Sequence, residues 1–528
     1  MTQHVPRANR TRRLATACLL GSVGLTLAAV HAGGQANPPK SAECRVEAVD
    51  YKGWHAEQLS NRWVQLIVVP QNGGRLMQVS FAGHPYLFVN SQLAGKSLPP
   101  TSGEWFNYGG DKLWLLPEGN NDEQHWAGDS DVLDDGPFTF RKVSEGQRCE
   151  IELTGPADPH TGIQFLRTIR LDAVSPRIGF HAAMKNVTGH TVEWSMQSVS
   201  QYDTADPGSS NPGSSNPSPS NSGPSNSGPS NSSSSDSSPS NPNPAGPEPS
   251  NQSPSNQSPS NQRPSKPPTP LRFNHDFWTF TPANPSSSYL NRYHVRFGPA
   301  ENSAVSVRDD GLFAVHYVHM AAELWLDSTE GWLAVVDGGS RYAMVERFRY
   351  EAGKPYPGKA SVIFWTNGPE LRLNHDGIPS LSADADASPT YLEAEINSPM
   401  CRLRPGESCD FETEWFPTRA GSEFHGVTDA GIVTRPLRAI GLQNGKIKLS
   451  GSFAVFFPGR LVARFYDERG RSLGALPVVD VNPAEPVLLE SEIVAPGKPA
   501  RLSLHLEDEQ GIDRGSLQEV RVGPEDNR

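Results

Sequence analysis

Short runs of alternating apolar and polar residues, broken by turn residues about every ten positions, fill most of this chain. Trp63–Val69 (WVQLIVV) runs into Pro70 and Gly73-Gly74, and Arg75–Phe81 (RLMQVSF) alternates up to Ala82-Gly83. The pattern returns over Gln164–Leu171, Arg177–Met184, Thr191–Gln197, Gly331–Val336, Ser361–Trp365 and Phe411–Phe416. Asp135-Gly136, Asp309-Asp310-Gly311, Asp337-Gly338-Gly339, Asn367-Gly368 and Pro405-Gly406 punctuate it. No segment of roughly a dozen residues keeps a helical period. Side chains of period two point to opposite faces of a strand, so such a chain buries its apolar half by stacking sheets. The expected fold is all-β, a sandwich or a barrel.

One segment is written differently. Between Thr204 and Pro270 the only apolar residues are Ala205 and Ala245, 17 of the 48 prolines fall there, and Pro-Ser-Asn units repeat. Such a stretch buries too little apolar surface to offset its chain entropy, which predicts disorder. Strand patterns of one kind flank it, over 40–203 and 271–424, which predicts a loop insertion within one domain. Loop-closure entropy grows only logarithmically with length, so the fold tolerates it. From about His425 a second set of short strands begins: Lys446–Phe453, Leu461–Tyr466, Pro486–Ile493 and Ala500–Leu506, with a tight turn at Asp467–Gly470. Its length suits a small immunoglobulin-like sandwich over 425–528.

Arg7, Arg10, Arg12 and Arg13 precede an apolar run, Leu14–Val30, and Val30-His31-Ala32 offers a cleavage site. Residues 1–32 read as a signal peptide, with Thr11–Leu14 hinting at a twin-arginine type; an uncleaved anchor is the alternative. The expected location is periplasmic or extracellular. After removal of Cys18 four cysteines remain. Cys401 and Cys409 flank a Pro-Gly turn close enough to pair, and Cys44–Cys149 would then tie two early strands; four buried thiols are the alternative. The net charge of −12 argues against nucleic acid as a partner, and no later apolar run is long enough to span a membrane. No P-loop, dinucleotide fingerprint or nucleophile elbow is present, and no cofactor is expected. Asp129–Gly136 has the look of a calcium loop, but Leu133 stands at a ligand place and no Glu closes it, so it reads as an acidic turn. His316 and His319, three apart in a strand, point to opposite faces and are no chelating pair, so no metal is expected.

Asn72-Gly73-Gly74-Arg75-Leu76 with Val79–Gly83 resembles the early hairpin of aldose 1-epimerases. Thr161–Leu171 with Met184–Thr188 is similar to their central strands, and Tyr391–Glu395 with Leu403–Glu407 to their closing segment. The likeness covers roughly residues 45–420. Trp105 with Asn107–Trp114 (NYGGDKLW) also resembles a bacterial family called domain of unknown function 4380. The resemblance implies a galactose mutarotase-like supersandwich, a fold that serves lyases and sugar-binding proteins as well as epimerases.

Mutarotation needs a base at the anomeric hydroxyl and an acid near the ring oxygen. The resemblance places the base at Glu393, with Glu395 on the same strand face as its substitute; exposed strand carboxylates are the alternative. The family's acid, a histidine, has no counterpart in Ser198–Asp203, where Gln201 stands in the matching region, and His190 reads as a turn residue. Asp111 and Lys112 supply an acceptor and a donor for sugar hydroxyls, with Asn107, Tyr108 and Arg75 beside them. Trp105 and Trp114 are stacking platforms, His125 and Trp126 edge the cleft, and Gly109-Gly110 let the backbone approach closely. A local Asp111–Lys112 ion pair with core tryptophans is the competing assignment. On the site assignment Asp111→Asn and Glu393→Gln cost little stability. The expected function is carbohydrate binding or an epimerase-like activity with a carboxylate base. A structural or binding protein of the cell envelope is the alternative.

Overall fold

The computed structural model describes residues 43–100, 105–119, 122, 124–128, 132–206, 272–373, 379–381, 388–442 and 445–524. Residues 1–32, expected to be a signal peptide, most of the Pro/Ser/Asn stretch and Asp129–Asp131 lie outside these residues. Helix among them is confined to Val132–Asp135 and two 3-10 turns, and none is long and apolar enough to cross a membrane.

The alternating runs become strands of two large antiparallel sheets. The first is ordered Arg45–Tyr51, Trp54–Ser60, Val64–Val69, Arg75–Phe81, Asp111–Leu116, Val192–Asp203, Tyr391–Asn397, Val362–Thr366, Ala322–Leu326 and His294–Phe297. The second has Trp332–Asp337, Tyr342–Phe348, Ser408–Thr418, Ile178–Asn186 and Ile163–Asp172 at its centre. Ile163–Asp172 alternates strictly, burying Ile163, Phe165, Arg167, Ile169 and Leu171. These meet Leu66, Val79, Leu113 and Leu115 of the first sheet in one core. At about 25 cal/mol per Å², such side chains contribute ~2 kcal/mol each.

Strands from before and after the Pro/Ser/Asn stretch interleave in both sheets. Val192–Asp203 pairs with Tyr391–Asn397, and Ile178–Asn186 with Ser408–Thr418. The two flanks of the stretch also meet: Ala205 bridges Phe273, and the Asn274 amide donates to the Thr204 carbonyl at 2.7 Å. Both disulfides join one sheet to the other. Cys44, beside the first strand, reaches Cys149, and Cys401, whose short strand pairs with Val192–Trp194, reaches Cys409.

The last hundred residues form an eight-stranded set that includes one parallel contact, Ala439 beside Val522. The Asp467–Gly470 turn connects Gly459–Tyr466 to Ser472–Val481. Their core does not stand alone. Leu449, Phe453, Phe465 and Leu504 join Phe280, Val336, Val345 and Phe416 from the outer face of the second sheet. Phe416 stacks on Phe456 with ring centroids 4.8 Å apart, and Phe280 on Phe424 at 4.5 Å.

Candidate functional site

Register on the outer face of the first sheet builds a cleft. Glu323, Trp365, Glu393 and Gln201 stand opposite one another on four neighbouring strands. Trp325, Ile363, Glu395, Val199 and Lys112 make the next row across five. Directly opposed residues share a face, so each row points outward. Trp105, Trp114, Glu118, Arg296 and Tyr391 complete the walls around about 420 Å³, a volume that suits a small ligand. A cavity of about 500 Å³ lies elsewhere, between Arg347, Glu412, Glu414 and Asp429. It has no buried carboxylate pair, and Arg347 there is tied to Asp429.

The floor is acidic. Glu393 accepts from Gln201 Nε2 at 2.5 Å and Glu395 from Gln197 Nε2 at 2.5 Å. Burial pushes the Glu395 carboxyl well above the usual carboxylate range, and Glu393, Glu323 and Glu118 push it further. Burial raises Glu393 too, while Lys112 and Gln201 oppose that rise. Both carboxyls are thus raised, and the three carboxylates around Glu395 favour its protonated form while Lys112 and Gln201 favour the ionised form of Glu393. Lys112 is buried with its ammonium 3.7 Å from the Trp114 ring centroid and 5.2 Å from that of Trp105. Its Nζ has no hydrogen-bond partner among the described residues, and burial lowers its pKa.

The expected site residues divide. Glu393, Glu395, Lys112, Trp105 and Trp114 come together, with Gln201 beneath Glu393. Trp105 is 40% exposed, as a stacking platform must be, and Trp114 is half-buried. Asn107 is half-buried outside the cleft lining, its side-chain oxygen accepting from the Gly109 amide at 3.2 Å. Asp111 goes elsewhere. It is adjacent to Lys112 in a strand, so it points to the opposite face, into the core. There it pairs with Arg167 of the second sheet and accepts from Ser198 and Ser200 hydroxyls at 3.2 and 3.3 Å. It pairs with neither Lys112 nor the cleft. Its loss is then expected to be costly, contrary to the sequence expectation.

Arg75 and Tyr108 are also interior. Arg75 donates to Asp134 at 2.8 Å, to Asp135 at 3.0 Å and to the Gly109 carbonyl at 3.3 Å. The acidic turn is thus the counter-charge of a buried guanidinium, and Asp134 also accepts from Trp114 Nε1 at 2.8 Å, fixing that ring's orientation. Tyr108 packs edge-on against Trp54, its hydroxyl accepting from the Leu98 amide. Gly109 and Gly110 serve packing: a Cβ on Gly109, at φ +90°, would lie 2.1 Å from the Phe88 carbonyl oxygen. Trp126 is buried against Trp114, half-buried His125 pairs with Asp122, and His190 is an exposed turn residue.

Glu118, Glu323, Trp325, Trp365 and Gln197 were missed by sequence reasoning. The signal was present: Glu323-x-Trp325 and Ile363-x-Trp365 put polar and aromatic residues on the outward positions of strands whose inward positions are Leu324 and Phe364.

No family model matches the chain, and no curated protein matches it. Among solved structures it is similar to a galactose mutarotase-like protein from Lactobacillus casei, at 7% identity and a TM-score of 0.38, over 68% of this chain and 99% of that one. A galactose mutarotase-like protein from Clostridium acetobutylicum gives 8% and 0.38 over 71% and 99%. A TPR-domain containing protein from Parabacteroides distasonis gives 11% and 0.38, where 69% of this chain spans only 47% of the other.

Proposed function

We propose that the cleft binds a carbohydrate and moves a proton on it, as an epimerase-like isomerase. The observation that carries this reading is the Glu393–Glu395 pair, held by Gln201 and Gln197 on the floor of a tryptophan-walled cleft. A pyranose offers an apolar C–H face to Trp105 or Trp114 and hydroxyls to the carboxylates. Glu393 would take the anomeric proton, and protonated Glu395 or Lys112 would give one toward the ring oxygen. The sequence resemblance to aldose 1-epimerases agrees with this assignment, and the two disulfides suit an exported chain. The test is exchange between anomers of a panel of reducing sugars, followed by NMR, with wild type and Glu393→Gln. Exchange above the buffer rate that the variant loses supports the proposal. Neither exchange nor a sugar-induced rise in Tm on any sugar would sink it.

A binding module without turnover is the second reading. It is favoured by the amides of Gln197 and Gln201, which hold both carboxylates in place as fixed acceptors. Sugar-induced stabilisation without anomer exchange would select it.

A further inference from the structure

Among the described residues only two aromatic side chains are exposed, Trp105 at 40% and Phe297 at 39%. Trp105 lines the cleft on one side, and Phe297 lies just outside it on the other, against the lining residue Trp365. Trp105 lies edge-on to Trp114, with centroids 6.5 Å apart. Phe297 is opposite Glu323 on the edge strand and stacks on Trp365 at 5.6 Å. Between the two pairs are Glu393 and Glu395.

The strands carrying Trp114 and Trp365 are three intervals apart, about 14 Å at the usual strand spacing, and Phe297 stands two intervals further. One sugar ring with its hydrogen bonds needs about 10 Å. A single ring over the carboxylates leaves at least one aromatic pair uncovered. Exposed aromatic surface grouped at a polar cleft marks a binding surface. We infer that the ligand is an oligosaccharide lying across the strands. One unit packs against Trp105 and Trp114, one sits over Glu393 and Glu395, and one packs against Trp365 and Phe297. This rests on the carbohydrate reading above and adds chain length to it.

The test is calorimetric titration of the full chain with cello-, xylo-, malto- and chito-oligosaccharides of one to four units. In at least one series Kd falls tenfold or more between one unit and three. Phe297→Ala shrinks that step to under threefold, and Phe297→Tyr, which keeps the ring, restores it. Phe297 is exposed on an edge strand, so the alanine variant should fold, which its circular dichroism checks. Binding of single sugars with no gain from one to four units would overturn the length inference and leave the carbohydrate reading standing. A length-dependent gain that Phe297→Ala leaves intact would overturn the inference as well. No binding in any series would overturn both.

Discussion

Glu393 and Glu395 are two residues apart on one strand, and their roles follow from what stands beside each. Lys112 opposes the rise at both carboxyls and each accepts from a glutamine amide, but Glu395 also faces Glu393, Glu323 and Glu118, which raise it further. If the proposed exchange uses Glu395 rather than Lys112 as its acid, it requires Glu395 protonated and Glu393 ionised. Because the Glu395 pKa is raised, its proton is held past the usual carboxylate range and is lost as pH climbs through the raised value. The rate should fall on that alkaline side. Glu395→Gln, which keeps a hydrogen-bond donor but cannot titrate, should lower the rate about 10²-fold and remove that limb from the pH–rate profile. Glu393→Gln should leave no measurable rate at any pH. A second prediction concerns Asp111. Asp111→Asn leaves the Arg167 guanidinium buried without its counter-charge, which costs about 3–5 kcal/mol. A loss of unfolding free energy below about 1 kcal/mol in denaturant titration would refute the assignment. The alternation of Asp111 and Lys112 across the strand was visible in the sequence. What was invisible was Arg167, 56 residues away, at an inward position where only a carboxylate could accompany it.

At the level of the strand, period-two patterning located most of the elements, and Arg75–Phe81 came out with its observed ends. Weakly alternating strands were not legible. Arg45–Tyr51 and Thr139–Ser144 lie at sheet edges and are half polar, so their burial pattern carries little period. The neighbours of each strand were not legible either, since pairing depends on contacts far apart in sequence. The cysteines are an exception, because two covalent pairs restrict which strands can meet. Their contributions should differ. In the chain-entropy account a closed loop of about 100 residues is worth about 4.7 kcal/mol and one of fewer than 15 less than about 3. The separations here are 105 for Cys44–Cys149 and 8 for Cys401–Cys409. Replacing Cys44 and Cys149 together by serine should therefore lower stability more than replacing Cys401 and Cys409. Equal losses by chemical denaturation would show that local packing, not loop length, sets the effect.

For the whole molecule, the question is what holds residues before Thr204 to those after Pro270. A linker between domains would leave each half with its own sheets. Here each large sheet draws strands from both halves, and the central pairs, Val192–Asp203 with Tyr391–Asn397 and Ile178–Asn186 with Ser408–Thr418, cross the divide. Neither half can complete its core alone, because Phe165 and Met184 come from one side while Leu392, Ile396 and Trp415 come from the other. The C-terminal strands are bound in likewise, since Phe416 and Phe280 would lose their cover without them. Composition showed that the segment carries no core residue, and the paired flanks at Ala205 and Phe273 show why its removal is geometrically simple. Deleting 207–271 and joining Asp206 to Arg272 through a short Gly/Ser linker should leave Tm within a few degrees of the parent. A chain cut by protease within the segment should still elute from gel filtration as one species and separate only in denaturant. Two species eluting under native conditions would mean that the halves fold independently and that the shared sheets do not hold the molecule together.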